Sequence, residues 1–149
     1  MNVLYERLYR TENPDGLTGR EYVEALIPAI VGTYPTPCPV GLDTRVDDFD
    51  VDDRTMPTVG MLVNELLTNA LKHAFSGRER GSVSVSVRVD GDRRTITVRD
   101  DGVGLPPEID PHNPSTFGFR MVSALAEQLG AHLQVASDAA SGTAIDVTF

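Results

Sequence analysis

NELLTNALKHAF, residues 64–75, decides the architecture. At about 100° per residue on a helix, Leu66, Leu67, Ala70, Leu71 and Ala74 share one broad apolar face, extended by Val63 just upstream. Glu65, Asn69, Lys72 and His73 are spaced by four, three and one, and fall together as a polar stripe beside it. The apolar face must meet a core. The spacing therefore predicts a helix over about residues 57–75, capped by Thr55 or Thr58 and ended by Ser76 and Gly77. Taken alone, the polar stripe reads as a solvated helix face.

The segments that would cover this helix lie on both sides of it. Downstream, residues 82–89 alternate strictly, with Val83, Val85, Val87 and Val89 facing one way and Ser82, Ser84, Ser86 and Arg88 the other. That is a strand with one buried face. Gly91-Asp92 turns the chain into a hairpin partner over 95–99. A Gly- and Pro-rich loop over 101–115 leads to a helix over 119–129, stopped by Gly130. Strands at 132–136 and 144–149 follow, joined around Ser141-Gly142. Upstream, Thr18 with Glu21 three residues on forms a capping box for a helix carrying Tyr22, Val23, Ala25, Leu26, Ile27 and Ile30, which Pro28 should kink or shorten. Pro35, Pro37 and Pro39 stiffen a connector before a strand at 40–46 and a short one at 49–51. Leu4, Tyr5 and Leu8 lie at helical spacing in the first eleven residues, which read as the end of a helix broken at Asn13-Pro14-Asp15-Gly16. Helices first, then strands, one helix and strands again imply an α+β sandwich with helices on one face of a mixed sheet.

Composition narrows the function. One domain of 149 residues can bury a real core. Its 13 basic and 22 acidic residues give a net charge of −9, which argues against nucleic acid as a partner. No apolar run nears the roughly 18 residues of a membrane span, and the N-terminus lacks the marks of a signal peptide, so a cytoplasmic protein is expected. Asp43, Asp47, Asp48, Asp50, Asp52 and Asp53 crowd one stretch, but without the glycine and closing glutamate of a calcium loop they read as a solvated loop. Cys38, the lone cysteine, sits between prolines and reads as an inert thiol.

Three further segments carry possible chemistry. Asp100-Asp101-Gly102-Val103-Gly104 follows directly from a strand, so that glycines let the backbone approach a ligand while Asp100 accepts a hydrogen bond deep in a pocket. Phe117-Gly118-Phe119 opens a helix, whose free N–H groups suit an anion. Gly142-Thr143 places a hydroxyl before the last strand. Each is weak alone. Together, in this order, they resemble the Bergerat-fold ATPases: the 65–69 stretch is similar to the N box, 100–104 to the first glycine box, 117–119 to the second and 141–143 to the last. The 64–75 stretch, LYRTEN at 8–13 and ALAEQLGAHL at 124–133 resemble the sensor histidine kinases of the HWE-like branch.

The resemblance implies a two-layer sandwich of mixed, mostly antiparallel sheet covered on one face by about three helices, with a mobile ATP lid. It implies ATP and Mg²⁺ as cofactors, with Asp100 on the adenine amino group, Gly102 and Gly104 at the adenine pocket, Asn69 on Mg²⁺, Lys72 on phosphate oxygens, Gly118 presenting N–H groups to the phosphates and Thr143 closing the adenine side. Glu65 would orient or deprotonate the attacking imidazole. His73 reads equally as a phosphate or lid contact and as N-box packing; His112 and His132 read as solvated or structural. Residues 1–11 would be the remnant of a dimerisation and phosphoacceptor helix, and 12–149 the catalytic domain. The partners implied are a phosphoacceptor histidine domain, a response regulator and a second copy joined through upstream helices. Against the family pattern, the loop over 105–116 is short for a lid, Phe117 replaces a glycine, and no histidine has the context of a phosphoacceptor. Two other readings stay open: a stand-alone serine kinase of the anti-sigma type, and a module that binds nucleotide without turnover.

Overall fold

The computed structural model describes residues 18–50, 52–106 and 117–149. The expected stub at 1–11, the LYRTEN segment, His112 and most of the lid lie outside them. Element order is α1 (Gly19–Thr33), β1 (Val40–Val46), α2 (Thr55–His73), β2 (Gly81–Asp90), β3 (Arg93–Asp100), α3 (Phe117–Gln128), β4 (His132–Asp138) and β5 (Gly142–Thr148).

The five strands form one sheet in the order β1-β2-β3-β5-β4. β1 runs parallel to β2 and every other pair is antiparallel. The three helices make the second layer, with α2 packed between α1 and α3. All six apolar positions expected on the core face of α2, from Val63 to Ala74, are buried. They meet Val83, Val85, Val87, Ile96, Val98, Ile145 and Val147 of the sheet, and Tyr22, Val23 and Ile27 of α1, in one cluster. The opposite sheet face is polar and carries hydroxyl pairs such as Thr95–Thr148 at 3.1 Å and the Thr97 Oγ1 bond to Asp146 Oδ1 at 2.7 Å. A sheet mostly of antiparallel strands tolerates one hydrated face in this way. At the edge, β1 is largely exposed and carries the Asp43–Arg45 ion pair at 3.5 Å.

Local chemistry explains where the elements start and stop. The capping box is formed: Thr18 Oγ1 accepts from the Glu21 amide at 3.2 Å and Glu21 Oε2 accepts from the Thr18 amide at 3.0 Å. α1 runs through Pro28 to Thr33 without ending there, because neighbours bury its apolar face on both sides of the proline. α2 starts earlier than expected. Thr55 is its first residue rather than its cap, and Asp52 satisfies the free turn, its Oδ1 accepting from the Thr55 amide at 2.7 Å and its carbonyl from the Met56 amide at 3.1 Å. Pro57 then falls in the first turn, where a missing N–H is harmless. The short strand expected at 49–51 is not a strand at Phe49. There the carbonyl accepts from the Gly19 amide at 2.9 Å and the buried ring fills the space a Gly19 side chain would need. Val89 keeps its place in the alternation but is 38% exposed at the far end of β2.

Leu67, fully buried on α2, reports on this packing. Leu67→Ala is expected to cost about 2–5 kcal/mol through transfer and cavity terms. Leu42→Ala, at a side chain 41% exposed on β1, should stay within about 0.5 kcal/mol. Urea unfolding checks the contrast; equal midpoints would place Leu67 outside the core.

Candidate functional site

The C-terminal end of β3 and the start of β5 meet because the two strands are antiparallel with Asp100 opposite Thr143. Over them lie the C-terminal turns of α2 and the first turn of α3. Together they enclose a cavity of about 300 Å³. Asn69 and His73 of α2, Asp100, Gly104, Phe119 of α3 and Thr143 line it, among apolar neighbours such as Leu66, Val98 and Ile145.

Asp100 is the chemical centre. It is 6% exposed, and its Oδ1 accepts from the Gly102 amide at 2.9 Å and the Thr143 amide at 3.3 Å. Both bonds go to Oδ1, which leaves Oδ2 available to a ligand. Burial pushes its pKa above the ordinary aspartate value; the Gly102 and Thr143 amides pull it back, Asp101 adds to the rise and Arg78 opposes it. Three glycines make room. A side chain at Gly102 would strike the Ala74 carbonyl, which instead accepts from the Val103 amide at 2.8 Å. Gly142 has φ +89° and lies against the Asp100 carbonyl. Gly104 has φ +79° and approaches the backbone of Asp138.

Across the cavity, the Asn69 amide is partly buried and its Nδ2 has no hydrogen-bond partner among the described residues. An amide flip offers Oδ1 at the same point. Gly118 lies in the first turn of α3, where amides lack intrahelical acceptors. Glu65 and Lys72 are not in the cavity wall. Glu65 is half-buried one turn before Asn69, while Lys72 is exposed with its ammonium 4.9 Å from the centre of the Tyr34 ring.

Two residues of this network were not marked out by sequence. Ser137 Oγ accepts from the Leu105 amide at 2.7 Å and pairs with Thr143 Oγ1 at 3.0 Å. Arg78 donates through Nη2 to the carbonyls of Asp101 and Gly102. Both bridge segments more than 20 residues apart, and no local pattern announces them.

Residues 57–149 match the family model described as histidine kinase-, DNA gyrase B-, and HSP90-like ATPase. The chain belongs to that family. Among curated relatives, this family member is 38% identical over 109 residues to blue-light-activated histidine kinase 2 of Erythrobacter litoralis, covering 72% of this chain and 31% of the relative. It is 28% identical over 107 residues to the sensor histidine kinase PdtaS of Mycobacterium tuberculosis, covering 70% and 21%. The chain thus spans about a third or less of these relatives. The solved histidine kinase domain of the Erythrobacter litoralis EL346 blue-light-activated kinase superposes with a TM-score of 0.78 at 32% identity, covering 88% of this chain and 59% of that one. The mycobacterial sensor histidine kinase MprB, at 20% identity and a TM-score of 0.68, shares the fold, over 89% of this chain and 94% of that structure. The domain is therefore an ATP-binding domain of the kind carried by histidine kinases.

Asp100 costs this ATPase-family domain stability when charged, since its folded pKa lies above its unfolded one. Its contribution is fully present below the unfolded pKa and is lost as pH rises through the folded pKa. Asp100→Asn keeps an Oδ1 acceptor for both amides and removes the charge. The variant should unfold at a higher urea concentration than the parent at neutral pH, with the advantage fading below the ordinary aspartate pKa. A loss of stability at neutral pH would overturn the burial argument.

Proposed function

We propose that this chain is the ATP-binding catalytic domain of a two-component sensor histidine kinase. It transfers the γ-phosphoryl group of ATP to a histidine outside the chain, for onward passage to a response regulator. The observation that carries this is the Asp100 carboxylate, buried at a strand end with one oxygen satisfied and one available, facing Asn69 across an apolar cavity. A carboxylate so held accepts the amino hydrogen of adenine, and the apolar walls take its ring.

Thr143, fixed by Ser137, closes the adenine side, while the backbone at Gly102 and Gly104 lets the base approach. The phosphates would extend toward Asn69, His73 and the first turn of α3, where Gly118 offers N–H groups with the favourable end of the helix dipole. Flipped so that Oδ1 stands where the unpartnered Nδ2 does, the Asn69 amide would suit a divalent ion, which takes few protein ligands and keeps its waters. Bound with ATP, Mg²⁺ would neutralise phosphate charge. Lys72 reaches phosphate oxygens only by leaving the Tyr34 ring. In the transfer, an acceptor imidazole nitrogen bonds to the γ-phosphorus as the bond to the β–γ bridging oxygen breaks, ADP departs, and Glu65, one turn along α2, orients the imidazole or takes its proton. The serine-kinase alternative finds no support among the named relatives, which are histidine kinases.

Residues 1–11 would then be the end of the phosphoacceptor helix and 12–149 the catalytic unit, with a histidine-bearing domain and a second copy as partners. Among the described residues no helix is long and apolar enough to cross a membrane, and the substrates of this chemistry belong to the cytoplasm.

Calorimetry tests the proposal. ATP should bind in the presence of Mg²⁺. Asp100→Asn, which cannot accept the amino hydrogen with a charged oxygen, should weaken binding about 10–100-fold. Adding a histidine-bearing dimerisation domain should produce acid-labile phosphorylation. Tight binding without any transfer to cognate acceptors would move the chain to the non-catalytic reading.

A further inference from the structure

The turn that presents Asp100 is held from outside the glycine box. Residues 101–104 contain two glycines, and free glycine backbone is costly to order. Bonds to four residues fix this one, Ser82 also accepting from the Asp101 amide at 3.2 Å. The Gly102 amide donates to Asp100 Oδ1, and the Val103 amide to the Ala74 carbonyl. The Ser82 amide donates to Asp101 Oδ1 at 2.8 Å. The fourth is Arg78, whose Nη2 donates to the Asp101 carbonyl and, at 3.0 Å, to the Gly102 carbonyl. The first three have backbone amides as donors, and the Asp100 and Asp101 carboxylates and the Ala74 carbonyl as acceptors. Among the described residues only Arg78 contributes its side chain from outside the box, and it is the one charged donor of the set.

Its own placement is built in. α2 ends at His73, Gly77 takes φ +74° and the Arg78 amide donates to the Phe75 carbonyl at 3.1 Å. This tight turn aims the side chain back over the loop. A guanidinium is suited to two neighbouring carbonyls because its donors are rigid and permanently charged. An ammonium is a single point of charge and reaches them less well.

We propose that Arg78 is the positioning residue for base recognition, clamping the Asp101 and Gly102 carbonyls so that the Asp100 carboxylate meets the amino group of adenine in a fixed direction. This rests on the assignment of the cavity to adenine. It assigns Arg78 no contact with nucleotide. Loosening the turn therefore weakens what depends on the aim of Asp100 and spares what depends only on filling the cavity.

Adenosine and inosine separate the two. They fill the cavity alike, but inosine carries an oxo group where adenosine has the amino group. Titrations of ATP, adenosine and inosine should be run on the parent, Arg78→Met, Arg78→Lys, Asp100→Asn and Arg80→Met, the last removing the same charge from an exposed neighbour. Arg78→Met should weaken ATP and adenosine by the same factor, about tenfold, leave inosine unchanged and so lower base selectivity. Arg78→Lys should fall between it and the parent, and Arg80→Met should match the parent. Without nucleotide, amide exchange at Val103 should accelerate in Arg78→Met relative to amides of the α2 core. Should Arg78→Met not fold, Arg78→Lys carries the test, and parental selectivity in it overturns the proposal. Equal losses for adenosine and inosine would make Arg78 a merely structural residue and also overturn it. Parental binding in Arg78→Met beside lost binding in Asp100→Asn would sink the proposal and leave the adenine assignment standing. Failure of the parent to bind ATP would remove both.

Discussion

The Ala74 carbonyl lies where a side chain at residue 102 would have to be. Everything at the site depends on that approach. It brings the C-terminal end of the central helix onto the end of the central strand, so that one hydrogen bond, from the Val103 amide to that carbonyl, joins the helix layer to the glycine turn. The adjoining contact of Gly142 with the Asp100 carbonyl closes the same joint from the strand side. Backbone held this closely has few ways to move, so the carboxylate between these contacts is aimed by the fold itself.

Asp100 also shows the cost of that aim. A buried carboxylate with two amide donors is less stable charged than one in water, and among the described residues no cation contacts it. Filling the second oxygen with a backbone donor would relieve the penalty and abolish the site. The domain instead keeps one oxygen unmatched, a strain that a ligand with an N–H can relieve. Asn69 shows the same economy across the cavity, where the amide Nδ2 has no partner among the described residues.

Much of this was legible in the chain. The two periodicities, helical over 59–74 and alternating over 82–89, named the core residues that pack α2 on the sheet. The glycine spacing at 102 and 104 marked a close approach, and Asp100, Asn69, His73 and Thr143 do converge on one cavity. Lys72 and Glu65 share a helix stripe with Asn69 but not its surroundings, because a stripe about 100° wide on a helix faces different neighbours at its two sides. Helix starts were less readable. Threonine is a common cap, yet at Thr55 an aspartate three residues earlier takes that part. Arg78 and Ser137 were invisible because their contacts span 23, 24 and 32 residues, and nothing in the local sequence encodes a bond that only the tertiary fold creates.

β1, one of the sheet's two edge strands and unpaired on its outer side among the described residues, bears on a different property, the behaviour of the domain at high concentration. A free strand edge is a template on which a neighbour's strand can pair, and charge is a common defence. Asp43 and Arg45 stand on this edge strand, on the hydrated face, with both side chains mostly in solvent. Any chain adding to β1 would have to desolvate or displace that pair. Leu42, between Gly41 and Asp43, is the one exposed large apolar side chain on β1, so at this edge the guard against self-association rests on two charged residues beside the most tempting point of contact.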